Sequence, residues 1–142
     1  MSFTNVKISI IFLMLYILSV CSLAVAAPKK NTVTGDFYTV TWTAVSQQGK
    51  RHLEITALPV GNVHCNLEYP WKLTVVSDDG IHFFKTALTG AEAGVFSDSR
   101  VAFALPYDKP AKKAAATLEL KLSMCDDRQC FIKKVPIEVA LP

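Results

Sequence analysis

The C-terminal stretch from Leu118 to Leu141 alternates apolar and polar residues in two runs, which the polar segment Asp126–Gln129 separates. Such alternation is typical of β-strands with one buried face, because successive side chains point to opposite sides of a sheet. The two runs therefore predict an antiparallel hairpin. Cys125 and Cys130 flank its turn, and both occupy polar positions of the alternation. We therefore expect them to face each other on the side away from the core. The apolar positions are Leu118, Leu120, Leu122, Met124, Phe131, Val135, Ile137, Val139 and Leu141.

Most of the chain that precedes this hairpin is also rich in β-branched and aromatic residues, which favour strands. Turn signals separate the runs, among them Gln47–Lys50 and the Asp-Gly pair within Asp78–Gly80. No segment places apolar residues at helical spacing over three turns. The pattern predicts an all-β fold, an antiparallel β-sandwich of the immunoglobulin-like type with about seven or eight strands, and a small barrel is the alternative. The predicted strands are Asp36–Val45, Arg51–Val60, Trp71–Ser77, Ile81–Leu88, Arg100–Tyr107, Ala115–Met124 and Phe131–Leu141.

The N-terminus has the three-part pattern of a secretory signal: a short positive start, the apolar run Ile8–Val20, and the small residues Ala24–Ala27. The run is shorter than the roughly 20 residues of a membrane-spanning helix, so we expect cleavage after Ala26 and no membrane insertion afterwards. Cys21 is disfavoured as a lipid-attachment site because Val20, rather than a small residue, precedes it.

These features divide the chain into a signal peptide over residues 1–26, a flexible leader over 27–35 and one domain over 36–142. The predicted location is the periplasm or the extracellular medium. The formal charge of the whole chain is +3 and its basic residues are scattered, so no nucleic-acid partner is expected.

In an oxidising compartment, two cysteines that lie close in sequence usually pair, and Cys125 and Cys130 would do so across the hairpin. Closing so short a loop contributes only about 2 kcal/mol by the chain-entropy estimate. The bond could therefore serve as a structural staple or as a centre of thiol:disulfide exchange. Cys65 is left over, either as a buried free thiol or as an additional reactive thiol.

The close pair Cys125–Cys130 with Phe131 behind it, followed by the strand Val135–Leu141, resembles the N-terminal periplasmic domain of the thiol:disulfide interchange protein DsbD. Upstream, the segment GNVHCNLEYPWKL at Gly61–Leu73 is similar to a G-x-x-H-x-N-x-x-Y/F-P region of the same family and its single-domain relatives. The resemblance covers roughly residues 49–141.

This resemblance implies an immunoglobulin-like domain whose cysteine pair shuttles between dithiol and disulfide. Cys125 and Cys130 would be the catalytic pair, and Phe131 a neighbouring packing residue. The implied partners are other periplasmic proteins: a separate membrane electron donor and a thioredoxin-like acceptor. Under this hypothesis the protein is a component of a thiol:disulfide oxidoreductase system, with no cofactor.

The alternative hypothesis is a non-enzymatic, immunoglobulin-like binding domain in which the same disulfide only braces the last hairpin. A third interpretation is a zinc site combining His64 or Cys65 with Cys125 and Cys130, which the lack of paired ligand spacing among the histidines disfavours. No metal is therefore expected. Nucleophile-elbow, phosphate-loop and calcium-loop motifs are absent from the sequence.

Overall fold

Strands account for most of residues 31–142, the part of the chain that the computed structural model describes. In chain order they are β1 (Asn31–Thr34), β2 (Tyr38–Gln47), β3 (Lys50–Pro59), β4 (His64–Cys65), β5 (Lys72–Asp79), β6 (Ala87–Thr89), β7 (Val95–Ser97), β8 (Arg100–Pro106), β9 (Ala114–Cys125) and β10 (Cys130–Leu141). One short 3-10 helix, Gly90–Glu92, lies between β6 and β7. The predicted signal peptide and residues 27–30 lie outside the described residues.

The strands form two antiparallel sheets whose order defines the fold. One sheet has the order β1-β2-β3-β8-β7, and the other has the order β10-β9-β5-β6, with β4 also paired to β9. Strands β2, β3, β8 and β7 correspond to A, B, E and D of an immunoglobulin domain, while β10, β9 and β5 correspond to G, F and C. The prediction of an all-β, immunoglobulin-like sandwich is confirmed.

The core lies between the sheets and is built from the alternating positions of each strand. Trp71, Phe103 and Met124 are among its largest fully buried side chains. In β9 and β10 the buried positions include the predicted apolar ones, except that Phe131, at the end of the hairpin, is only half-buried. Burial of such side chains is the main favourable term in folding, at roughly 25 cal/mol per Å² of apolar surface.

The first hairpin has the predicted turn. Gln47 pairs with Lys50, and the two residues between them have positive φ angles, 51° at Gln48 and 78° at Gly49. Positive φ at both central residues is the type I′ geometry, whose twist matches that of the flanking strands. Glycine at the second position therefore has a conformational reason.

The predicted flexible leader is wrong in part, because Asn31–Thr34 forms an edge strand antiparallel to β2. Its burial alternates, and Val33 packs against the core. The polar composition of this segment concealed the strand, since only one of its two faces meets the sandwich.

The tight turn predicted at Asp78–Gly80 is also wrong. Strand β5 continues to Asp79 alongside β9, with a bulge between Val75 and Ser77. The strand that pairs with β5 is only Ala87–Thr89, at the end of the predicted run Ile81–Leu88, while Ile81 and Phe83 are buried as anchors of the connecting loop. Within residues 31–142, no helix is long and apolar enough to cross a membrane.

Candidate functional site

A disulfide joins Cys125 and Cys130, as predicted, with Cα atoms 4.0 Å apart. These residues are the first pair of a ladder that runs without interruption to the pair Ala114–Leu141. The connecting turn is held by Asp126, whose Oδ1 accepts hydrogen bonds from the backbone N–H groups of Arg128 and Gln129, both at 2.8 Å. The strands and the turn therefore position the two sulfurs independently of the bond between them.

The two ends of the disulfide differ in exposure. Cys130 is exposed, as its place on the outer face of an edge strand predicts, but Cys125 is only 7% exposed. Both cysteines lie on the outer face, as predicted, but Cys125 is covered there because β4 packs beside β9 and places His64 directly opposite it. His64, Cys125 and Cys130 thus form one row across three neighbouring strands.

Asn66 connects the loop after β4 to the disulfide hairpin. Its backbone N–H donates to the Ser123 carbonyl at 3.0 Å, and its side-chain amide donates to Ser123 Oγ at 3.4 Å and to Cys130 Sγ at 3.8 Å. Trp71 Nε1 donates to the Asn66 carbonyl at 2.7 Å, which ties the loop to the core. Asn66 is therefore the polar group that the fold brings to the exposed sulfur. The histidine and asparagine of the GNVHCNLEYPWKL segment were the available signal for these two neighbours of the disulfide. The sequence suggested a role for His64 only as a zinc ligand and none for Asn66.

Phe131, the residue after Cys130, stacks on Phe37 with ring centroids 3.8 Å apart and an interplanar angle of 10°. Phe37 belongs to the connection between β1 and β2, so this contact links the disulfide hairpin to the opposite sheet. The hairpin end is thereby fixed from both sides, by Asn66 on the outer face and by Phe37 on the inner.

Charged groups of both signs surround the turn. Asp127, Arg128 and Lys133 are exposed, and Lys134 Nζ lies 3.6 Å from Glu119 Oε1 in an exposed ion pair. Exposed pairs of this kind contribute little to stability. Within residues 31–142, no group of three His, Cys, Asp or Glu side chains is arranged to hold a metal ion.

Cys65 is a free thiol, 1% exposed, on the inner face of β4. Burial, and to a smaller extent the negative charge of Asp98, raises the pKa of the Cys65 thiol to about 11. Because the thiolate is the reactive form, this side chain is neutral and unreactive at physiological pH. It lies across the sheet from the disulfide face, so the structure separates it from the exposed sulfur of Cys130.

We expect Cys65 to resist alkylation by iodoacetamide in the folded protein at pH 8 and to react fully once the chain is unfolded in guanidinium chloride. The physical reason is the combination of burial with a raised pKa. Mass spectrometry of the alkylated protein measures this, with Cys65→Ala as the control for the site of labelling. Rapid modification of the folded protein at Cys65 would contradict the assignment.

No family model matches this chain, and no curated protein matches it. Among solved structures, the chain is similar to the GAE domain of yeast GGA1, with 14% sequence identity and a TM-score of 0.47. The match covers 80% of this chain and 99% of that one.

Proposed function

We propose that this protein is an exported thiol:disulfide exchange module whose reactive group is the Cys125–Cys130 pair. The observation that carries the proposal is the asymmetry of the disulfide, in which Cys130 is an exposed residue and Cys125 a buried one. A partner thiolate therefore reaches the bond more readily from the Cys130 side. That arrangement distinguishes an attacked cysteine from a resolving one.

The small structural contribution of the bond also supports exchange. The disulfide links residues five apart that the β9–β10 ladder already pairs, so it removes about 2 kcal/mol or less of unfolded-chain freedom. A reversible bond can open here without loss of the hairpin. A purely structural disulfide would contribute more stability if it joined segments that are distant in sequence.

In the oxidising direction, a partner thiolate attacks Cys130 Sγ, the bond to Cys125 Sγ breaks, and Cys125 leaves as a thiolate that takes up a proton. A second partner thiol then loses its proton and attacks the partner sulfur of this mixed disulfide. Cys130 leaves as a thiolate and the partner holds the new disulfide. Two electrons have passed from the partner to this domain. The reducing direction is the reverse sequence, in which the Cys130 thiolate attacks a partner disulfide and Cys125 resolves the intermediate.

The resemblance to the N-terminal domain of DsbD supports the same function and gives the partners their class. The donor would be a membrane protein and the acceptor a thioredoxin-like protein, both meeting this domain in the periplasm after removal of the signal peptide. Export would also place the protein in an oxidising compartment, where a disulfide of this kind persists.

The deciding experiment is a redox titration of the folded protein against glutathione and dithiothreitol, with thiol trapping and mass spectrometry. An exchange centre is expected to have a potential of roughly −120 to −270 mV and to be reduced rapidly without unfolding. A potential below about −300 mV, or reduction only in denaturant, would contradict the proposal. That outcome would assign the domain to the binding class, with the disulfide as a brace.

A further inference from the structure

Strand β10 is the edge of its sheet beside the disulfide. Among the described residues it pairs with β9 alone, so one side of its backbone has no strand partner. Which of its backbone groups face outward depends on the hydrogen-bonding parity of the β9–β10 ladder, because paired and unpaired positions alternate in an antiparallel ladder.

Three independent observations establish that parity. The Asp126 N–H bonds to the Gln129 carbonyl at 3.0 Å, so the next pair, Cys125 with Cys130, is a non-hydrogen-bonded one. The short Cα separation of 4.0 Å at that pair is typical of the same class. The carbonyl of Ser123, two residues earlier in β9, accepts from the Asn66 N–H and thus points away from β10.

It follows that Cys130, Ile132 and Lys134 direct their N–H and C=O groups off the free edge of the sheet. Pro136 has the same parity, and its missing N–H costs the β9–β10 ladder nothing. The same proline ends the run of outward donors. The free edge therefore offers a short, defined segment of unpaired backbone that begins at the exposed cysteine.

A strand added to this edge would place one residue directly opposite Cys130, in a hydrogen-bonded pair with a Cα separation of about 5.5 Å. That separation lies within the range that a disulfide spans. The added residue would also extend the row that already contains Cys125 and Cys130, on the side of Cys130 away from Cys125. A sulfur at that position approaches Cys130 Sγ from the side opposite its bond to Cys125.

We propose that the partner binds as an extended, cysteine-bearing segment that adds antiparallel to the β10 edge over Cys130–Lys134, with its cysteine opposite Cys130. This inference rests on the exchange function proposed above and names how the substrate is positioned. Main-chain hydrogen bonds supply the binding energy, as in other cases of strand addition, and side chains on the shared face supply selectivity.

The side chains that follow Cys130 on the outer face define the chemistry of the segment. Ile132 is 57% exposed and offers an apolar contact, and Lys134, whose Nζ also lies 3.6 Å from Glu119 Oε1, offers a positive charge. Cross-strand pairs of like polarity or opposite charge are favourable. In an antiparallel partner segment, an acidic residue therefore lies opposite Lys134 and an apolar residue two positions later lies opposite Ile132. The cysteine follows after two more positions, opposite Cys130.

The probe is a synthetic peptide of sequence Thr-Glu-Thr-Val-Thr-Cys-Thr whose cysteine carries a thionitrobenzoate group as a mixed disulfide. The pre-reduced protein attacks the peptide sulfur through Cys130 and expels the coloured thionitrobenzoate thiolate, whose absorbance gives the rate. The control peptide is identical but N-methylated at the valine and glutamate amides, which removes two ladder donors and leaves the cysteine unchanged. The N-methylated peptide is expected to react about tenfold more slowly at subsaturating concentration, because two hydrogen bonds are lost.

The matched protein variant is Ile132→Pro, which removes one outward N–H at a position of the same parity as Pro136. We expect the unmethylated peptide to react several-fold more slowly with this variant than with the parent protein, because one ladder hydrogen bond is lost, and the glutathione–thionitrobenzoate disulfide, which forms no ladder, to be slowed less. Ile132→Thr keeps the N–H and controls for loss of the side chain. Circular dichroism confirms that the variants fold.

Equal rates for the two peptides on the parent protein would overturn strand addition, while fast reaction with the glutathione adduct would leave the exchange function standing. Slow reaction with every probe would instead contradict the exchange function itself. A dimer that Ile132→Pro dissociates in sedimentation would show that a second copy of the chain occupies the edge, and would also overturn the proposal.

Discussion

Replacing Cys125 with serine is expected to convert the protein into a trap for its partners. Cys130 would keep its exposed thiol, but no neighbouring thiol would remain to resolve a mixed disulfide. Adducts through Cys130 should accumulate at least tenfold over the parent protein after acid quenching and alkylation, as seen by non-reducing electrophoresis and mass spectrometry.

The matched variant Cys130→Ser is expected to trap almost nothing, because the thiol that remains at Cys125 is buried beside β4. Cys65→Ala, combined with Cys125→Ser, controls for adducts at the third cysteine. The opposite result, with adducts on Cys125 in the Cys130→Ser variant and none on Cys130 in the Cys125→Ser variant, would reverse the assignment of attacked and resolving cysteines.

The largest effect on stability is expected from Trp71→Ala. Trp71 is 1% exposed, and its indole Nε1 bonds to the Asn66 carbonyl at 2.7 Å. Its own carbonyl accepts from the Gly90 N–H at 3.1 Å. Truncation of a buried aromatic side chain costs about 3–5 kcal/mol, and urea denaturation followed by circular dichroism should show a loss of that size.

Trp71→Phe is the matched control, since it retains most of the buried volume and removes only the indole donor. We expect a loss of about 1–2 kcal/mol, from the hydrogen bond and the small residual cavity. A destabilisation by Trp71→Ala of less than about 1 kcal/mol would contradict the central position of this side chain between the core and the Asn66 loop.

The C-terminal hairpin could be predicted from the sequence in detail, because the alternation of Leu118–Met124 and Val135–Leu141 determines both the strands and the face of each side chain. The disulfide followed from the same register. Strand β1 could not be found in this way, since a half-exposed edge strand of four residues carries too little apolar signal.

The environment of the disulfide was less predictable than the bond itself. Cys125 lies on the outer face of β9 by the alternation of that strand, and it is covered because β9 pairs with the two-residue strand β4. That contact joins residues about sixty positions apart, and no local pattern encodes it. Asn66 reaches Cys130 for the same reason, through the loop that follows β4.

The uninterrupted β9–β10 ladder has a thermodynamic consequence for the cysteine pair. Because the backbone pairing, the Asp126 turn and the Phe37–Phe131 stack do not depend on the bond, oxidised and reduced forms are expected to share one native conformation. The reduction potential of the cysteine pair and the difference in unfolding free energy between the two forms are then linked through one thermodynamic cycle. In this cycle, a change of about 30 mV corresponds to about 1.4 kcal/mol. A domain built in this way can adjust its redox poise through the few groups that touch the sulfurs, while the sandwich behind them stays the same.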